Sequence, residues 1–132
     1  MLIDTHAHLI DKKYSQDLDE VLERAKKAGV EAVINVGYTL PYARKAVALA
    51  GIYPELYAAV GIHPHDAEEA AKGYLGELKK LAQNTKVVAI GEMGLDFYRN
   101  ISPPAVQEKV FREQLALAKE VNLPVIIHDR DA

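Results

Sequence analysis

The chain has no cysteine and no tryptophan, and only two phenylalanines and two methionines among its 132 residues. Without cysteine there are no disulfides and no thiolate metal sites, so any metal must be held by nitrogen and oxygen. No stretch reaches the roughly 18 apolar residues of a membrane span. The amino terminus also lacks the basic segment and apolar run of a secretory signal. A cytoplasmic protein without membrane partners is therefore expected. Positive charge is scarce too: 16 Lys and Arg stand against 19 Asp and Glu, for a net charge of −3 and a pI near 5.9. That balance argues against a broad basic surface that grips nucleic acid by counterion release. Low-complexity stretches and sequence repeats are absent. What remains, 49% hydrophobic and 27% charged, suits one globular α/β domain over residues 1–132.

Histidine is where the chemistry concentrates. Ile3-Asp4-Thr5-His6-Ala7-His8-Leu9 ends an apolar start in His-x-His, and alternate residues of a strand point to one face. Two imidazoles thus converge, as suits a divalent cation whose sphere carboxylates can complete. Three further apolar runs end in polar groups: Tyr57 to His65, Val87 to Glu92, and Pro124 to Arg130. All five histidines lie at such strand ends. Apolar runs without alternation read as parallel strands buried on both faces, and ligands of such sheets bind beyond the carboxyl ends.

A βα repeat runs the length of the chain. Strands are expected at Leu2 to Thr5, Ala32 to Val36, Leu56 to Gly61, Val87 to Ile90 and Val125 to Ile127. Helix one should run from Ser15, its N-cap, to Ala28, with Gly29 as the stop. Pro41 opens helix two and Gly51 ends it. Asp66 and Glu69 read as a capping box for a third helix reaching about Gln83, weakened by Gly73 and Gly76. Ser102-Pro103 opens helix four, which ends at Asn122. Right-handed crossovers then order the five strands one to five.

The strings DTHAHL, GIHPHDA, GEMGLDFY, QEKVFREQLALA (from Gln107) and NLPVIIHDRDA, in that order, resemble the TatD family of metal-dependent hydrolases. The resemblance implies the amino-terminal portion of a TIM (β/α)8 barrel of the metallo-dependent hydrolase type, with about five parallel strands and four helices. It implies a phosphodiester hydrolase with DNA as substrate, a 3′-5′ exonuclease in its intact form. It also implies two divalent ions (Mg, Mn or Zn). His6 and His8 would bind the first, Glu92 would bridge both and serve catalysis, and His128 would belong to the second. Two ions about 3.5–4 Å apart would clamp a phosphodiester and supply local positive charge that the overall composition lacks.

His63 and His65 either hold the scissile phosphate or shuttle a proton, with the resemblance favouring substrate over ligation; alternatively His65 only caps helix three. Asp96 is expected to orient a ligating histidine from behind. Tyr98 and Arg99 either contact nucleotide or sit in a solvated loop. Arg130 either binds phosphate or neutralises Asp129 and Asp131. Asp129 stands where the family more often has serine. The family's further histidine and its last-strand aspartate have no counterpart within 132 residues, and a full barrel needs about 250 residues. The chain alone is therefore expected to be a poor nuclease that self-associates through open strand edges. Two other readings share these residues: a non-catalytic half-barrel that binds metal or itself, and a hydrolase of a small-molecule amide or ester.

Overall fold

The computed structural model describes residues 1–132. Five parallel strands form one sheet in sequential order: β1 (Leu2–Ala7), β2 (Val30–Val36), β3 (Leu56–Val60), β4 (Val87–Asp96) and β5 (Val125–Arg130). Four α-helices make the crossovers: α1 (Leu18–Lys27), α2 (Leu40–Ile52), α3 (Tyr74–Leu81) and α4 (Pro104–Val121). The curved sheet and its outer helices make a half-barrel, and every histidine lies at or just beyond the carboxyl end of a strand.

Burial explains the unbroken apolar runs of β2, β3 and β4, whereas the outer strands β1 and β5, expected to be buried on both faces, are largely exposed. On the helix side, Leu56, Ile90 and Met93 pack with Leu78, Val110 and Leu117 in one cluster. Full burial of each such side chain contributes about 1.5–3 kcal/mol. Val36, Ala59 and Ala89 form a second, smaller cluster with Ile34 and Ile126. Helix α2 presents Ala43, Ala46 and Ala50 to the sheet, small enough for the backbone of Gly37 to approach Ala43 directly. Thr39 caps this helix by accepting the Tyr42 N–H, and Pro41 occupies its first turn as expected.

Several boundaries depart from the sequence reading. Ser15 does not cap α1; its hydroxyl donates to the Lys12 carbonyl behind a 3₁₀ turn at Lys12–Tyr14, and the helix starts after Asp17. Gly51 does not stop α2, which runs on to Ile52. The expected third helix is two elements: a 3₁₀ turn at Pro64–Glu69, capped by the His63 ring, and α3, separated where Gly73 adopts φ +89°. The 3₁₀ turn satisfies its own start, so Asp66 and Glu69 make no capping box. Ser102 does not open α4 either; it receives the Glu68 N–H and donates to the His65 carbonyl.

Strands β1, β4 and β5 run further than the apolar pattern indicates, to Ala7, Asp96 and Arg130. In β4 the reason is close strand approach. A Cβ at Gly61 would lie 2.7 Å from the Gly91 backbone, and one at Gly94 would overlap the His128 carbonyl. These glycines are the condition for pairing β4 with β3 and β5.

Candidate metal centre

Glu92, on β4, is 8% exposed, and its carboxylate meets four imidazoles and no lysine or arginine. Its Oε2 lies 3.2 Å from His6 Nε2 and 3.8 Å from His8 Nε2, both carried by the end of β1. Its Oε1 lies 3.2 Å from His128 Nδ1 on β5 and 3.9 Å from His63 Nε2 after β3. The two oxygens of one buried carboxylate thus serve two separate sets of rings. The ligand atoms of His6, His8 and Glu92 lie within 4.8 Å of one another, as do those of His63, His65 and His128.

Hydrogen-bond partners assign the ring tautomers. A carbonyl or carboxylate oxygen only accepts, so a ring nitrogen beside it carries the hydrogen. His8 Nδ1 donates to the Val36 carbonyl at 2.8 Å, leaving its Nε2 bare toward Glu92. One oxygen of Asp96 receives His65 Nε2 (2.7 Å) and lies 3.0 Å from His128 Nε2. His128 Nδ1 lies 3.2 Å from Glu92 Oε1 and 3.2 Å from His63 Nε2; because His63 accepts the His65 N–H on Nδ1 and carries its hydrogen on Nε2, His128 Nδ1 is the acceptor and its hydrogen sits on Nε2, toward Asp96. The buried carboxylate of Glu92 therefore faces a bare nitrogen of His8 and the accepting nitrogen of His128. Nitrogen and oxygen donors this close together suit divalent Zn, Mn or Mg. The donor chemistry fits a metal.

His63 differs. Its Nδ1 accepts the His65 N–H at 3.1 Å, so the neutral ring carries hydrogen on Nε2 and donates to His128 Nδ1 at 3.2 Å. Burial is the largest influence on this imidazole and lowers its pKa to about 4, against the opposing pull of Glu92. His63 is thus a neutral donor aimed at the centre, an arrangement that suits contact with an anionic substrate better than ligation. His65 does not cap a helix through its ring, which instead donates to Asp96.

Asp96 is fully buried. Burial alone would push its carboxyl up; the Arg99 N–H and the His65 and His128 rings outweigh this and hold it well below the usual carboxylate range. Arg130 forms no ion pair with Asp129 or Asp131. Its guanidinium stacks 4.1 Å from the centroid of the Tyr98 ring, which is itself 63% exposed at the rim.

The structure thus brings His6, His8, His63, His65, Glu92, Asp96 and His128 into one cluster, with Arg130 at its edge. Gln107 and Gln114, both within the QEKVFREQLALA string, have no assigned role in the sequence reading. Both are fully buried on α4 and bond the backbone beside the cluster. The signal was two amides on the same face as Val110, Leu117 and Ala118.

A half-barrel with histidines and a carboxylate at the carboxyl ends of its strands is the framework of a metal-dependent hydrolase. Comparison with known proteins agrees: the family model described as TatD related DNase matches residues 3–132, and the chain belongs to that family. It is 52% identical over 132 residues to the uncharacterized metal-dependent hydrolase YabD of Bacillus subtilis, covering 100% of this chain and 52% of that protein. It is 41% identical over 131 residues to the 3′-5′ ssDNA/RNA exonuclease TatD of Klebsiella pneumoniae, covering 99% and 50%. Among solved structures, the TatD homologue YJJV of Escherichia coli K12 superposes with a TM-score of 0.91 at 38% identity, covering 98% of this chain and 51% of that one. A TatD family hydrolase from Entamoeba histolytica gives 0.90 at 32% identity, covering 98% and 50%. The chain spans about half the length of the relatives it matches.

Proposed function

We propose that this chain carries the cation-binding part of a phosphodiesterase that removes nucleotides from the 3′ end of single-stranded DNA. The observation that carries this reading is Glu92, whose Oε2 faces His6 and His8 while Oε1 faces His128. His6, His8 and Glu92 would hold one divalent cation, and Glu92 with His128 a second. Bound there, the pair would polarise a phosphoryl oxygen and acidify a water. The Nε2–H of His63 is placed to donate to a phosphate oxygen, Asp96 to keep the His128 Nδ1 lone pair aimed inward, and Arg130 to meet the flanking phosphate. A net charge of −3 over these residues argues against a broad basic surface, so we assign recognition to the centre and its rim.

The activity is proposed for the native gene product, in a cytoplasmic setting. The test is digestion of a 5′-labelled single-stranded oligonucleotide by that product. A ladder shortening from the 3′ end, abolished by a chelator and by Glu92→Gln, is expected. Hydrolysis of amide or ester substrates with no action on the oligonucleotide would contradict the reading.

A second reading concerns self-association. In this structure β1 and β5 are the outer strands, and Leu2, Ile3 and Ile127 on them are each more than half exposed. Such edges invite pairing. Light scattering on the chain should show species above its 14.6 kDa mass; a stable monomer at high concentration would refute this second reading.

A further inference from the structure

Gln107 and Gln114 are both wholly buried, and each uses its amide in the same way. They stand seven residues apart on α4, two turns on one face, with their Cα atoms about 10.5 Å apart along the axis. Gln114 Oε1 accepts the Ile62 N–H at 2.8 Å while Nε2 donates to the Ile62 carbonyl at 3.0 Å; its other hydrogen meets the Val110 carbonyl at 3.3 Å. Gln107 Oε1 accepts the Asp96 N–H at 2.8 Å while Nε2 donates to the Asp96 carbonyl at 3.2 Å and to that of Ser102 at 2.7 Å. Each amide therefore takes both backbone groups of a single residue, as a neighbouring strand would.

The two clamped residues are the ones that matter to the cluster. Ile62 immediately precedes His63, and Asp96 receives His65 and His128. A helix face of leucine and valine would hold α4 to the sheet equally well, but it would leave these backbone groups buried without partners. Only a side chain with both donor and acceptor closes the pair. We propose that Gln107 and Gln114 are positioning residues, two side-chain amides that hold the ends of β4 and β3 so that His63, His65 and His128 keep the tautomers and directions described above. The consequence for cation binding rests on the proposed function; the effect on the rings does not.

Long-range proton–nitrogen spectra of the imidazoles in the cation-free 132-residue chain, at about pH 8, test this directly. In the wild type, His65, His128 and His63 are each expected to carry hydrogen on Nε2. Gln107→Met keeps the shape and loses both polar groups; His65 and His128 should then become tautomer mixtures. Gln114→Met should do the same to His63. Leu117→Ala, buried on the same helix, should lower the melting temperature and leave all three tautomers unchanged. With Mn²⁺ added, Gln107→Met should weaken binding by about 10–100-fold, and Leu117→Ala should not. Should Gln107→Met fail to fold, Gln107→Asn, which keeps both polar groups but draws them back by one methylene, is read in the same way. Wild-type tautomers in a folded Gln107 variant, or equal disturbance by Leu117→Ala, would overturn the proposal. Because the tautomers are read without metal, the clamp can fail while cation binding stands, and the reverse.

Discussion

His128 Nε2 lies 3.0 Å from an Asp96 carboxylate oxygen, the same oxygen that receives His65 Nε2. That contact decides which nitrogen of His128 faces Glu92. Asp96→Asn removes the charge and offers an amide that cannot accept from both rings and from the Arg99 N–H at once, because one of its two ends is a donor. We expect Mn²⁺ affinity to fall by about 10–100-fold, read by calorimetric titration. Asp129→Asn, on an exposed side chain, should leave it unchanged.

Gly94→Ala should act on both fold and site. At φ +144° an L side chain is strained, and its Cβ would overlap the carbonyl of His128. The cost should exceed about 1 kcal/mol in denaturant unfolding, and cation affinity should fall with it, because β5 must move and carries His128. A variant of normal stability would show that β4 and β5 are not so closely paired.

At the rim, Arg130 covers one face of the exposed Tyr98 ring. A base stacked on Tyr98 is worth about 1–3 kcal/mol, so Tyr98→Ala should weaken single-stranded oligonucleotide binding by the corresponding factor. Tyr98→Phe, which keeps the ring, should retain affinity. Fluorescence anisotropy distinguishes them, and equal losses in both variants would point to the hydroxyl instead.

Away from the site, Tyr74 supplies a pH prediction. Burial first, then its 2.6 Å hydrogen bond to Glu113 and the charge of that carboxylate, raise the phenol well above its ordinary value. The unfolded chain releases this proton near pH 10 while the folded chain keeps it, so above that pH the unfolded state binds fewer protons and stability falls. Tyr74→Phe should cost about 0.5–1.5 kcal/mol at neutral pH and reduce the alkaline loss. An unchanged alkaline slope in equilibrium unfolding would contradict this.

Strand order and the placing of the five histidines were legible in the sequence because each strand is a short apolar run that ends in polar residues, although only the inner strands β2, β3 and β4 are buried as such runs suggest; β1 and β5 are largely exposed. Turn chemistry was harder to read. Ser15 had the right type for an N-cap, but the backbone had already closed a 3₁₀ turn. The apolar run of β4 stops at Ile90, and composition does not reveal that Gly91 and Gly94 serve interstrand contact and let the strand run on to Asp96. The contacts of Glu92 depend on β1, β3 and β5 meeting in space, so spacing along the chain could propose its neighbours but not pair its oxygens with particular rings. Gln107 and Gln114 were readable in principle, as polar residues on an apolar helical stripe.

The proposed bridging role of Glu92 is tested most directly by counting cations. Calorimetric and electron-spin titrations of the chelator-treated chain with Mn²⁺ should give two cations per chain, with magnetic coupling between them, and Glu92→Gln should abolish the coupling and weaken both sites. A wild-type chain that binds no Mn²⁺, or two uncoupled ions whose affinity survives Glu92→Gln, would contradict the bridged centre.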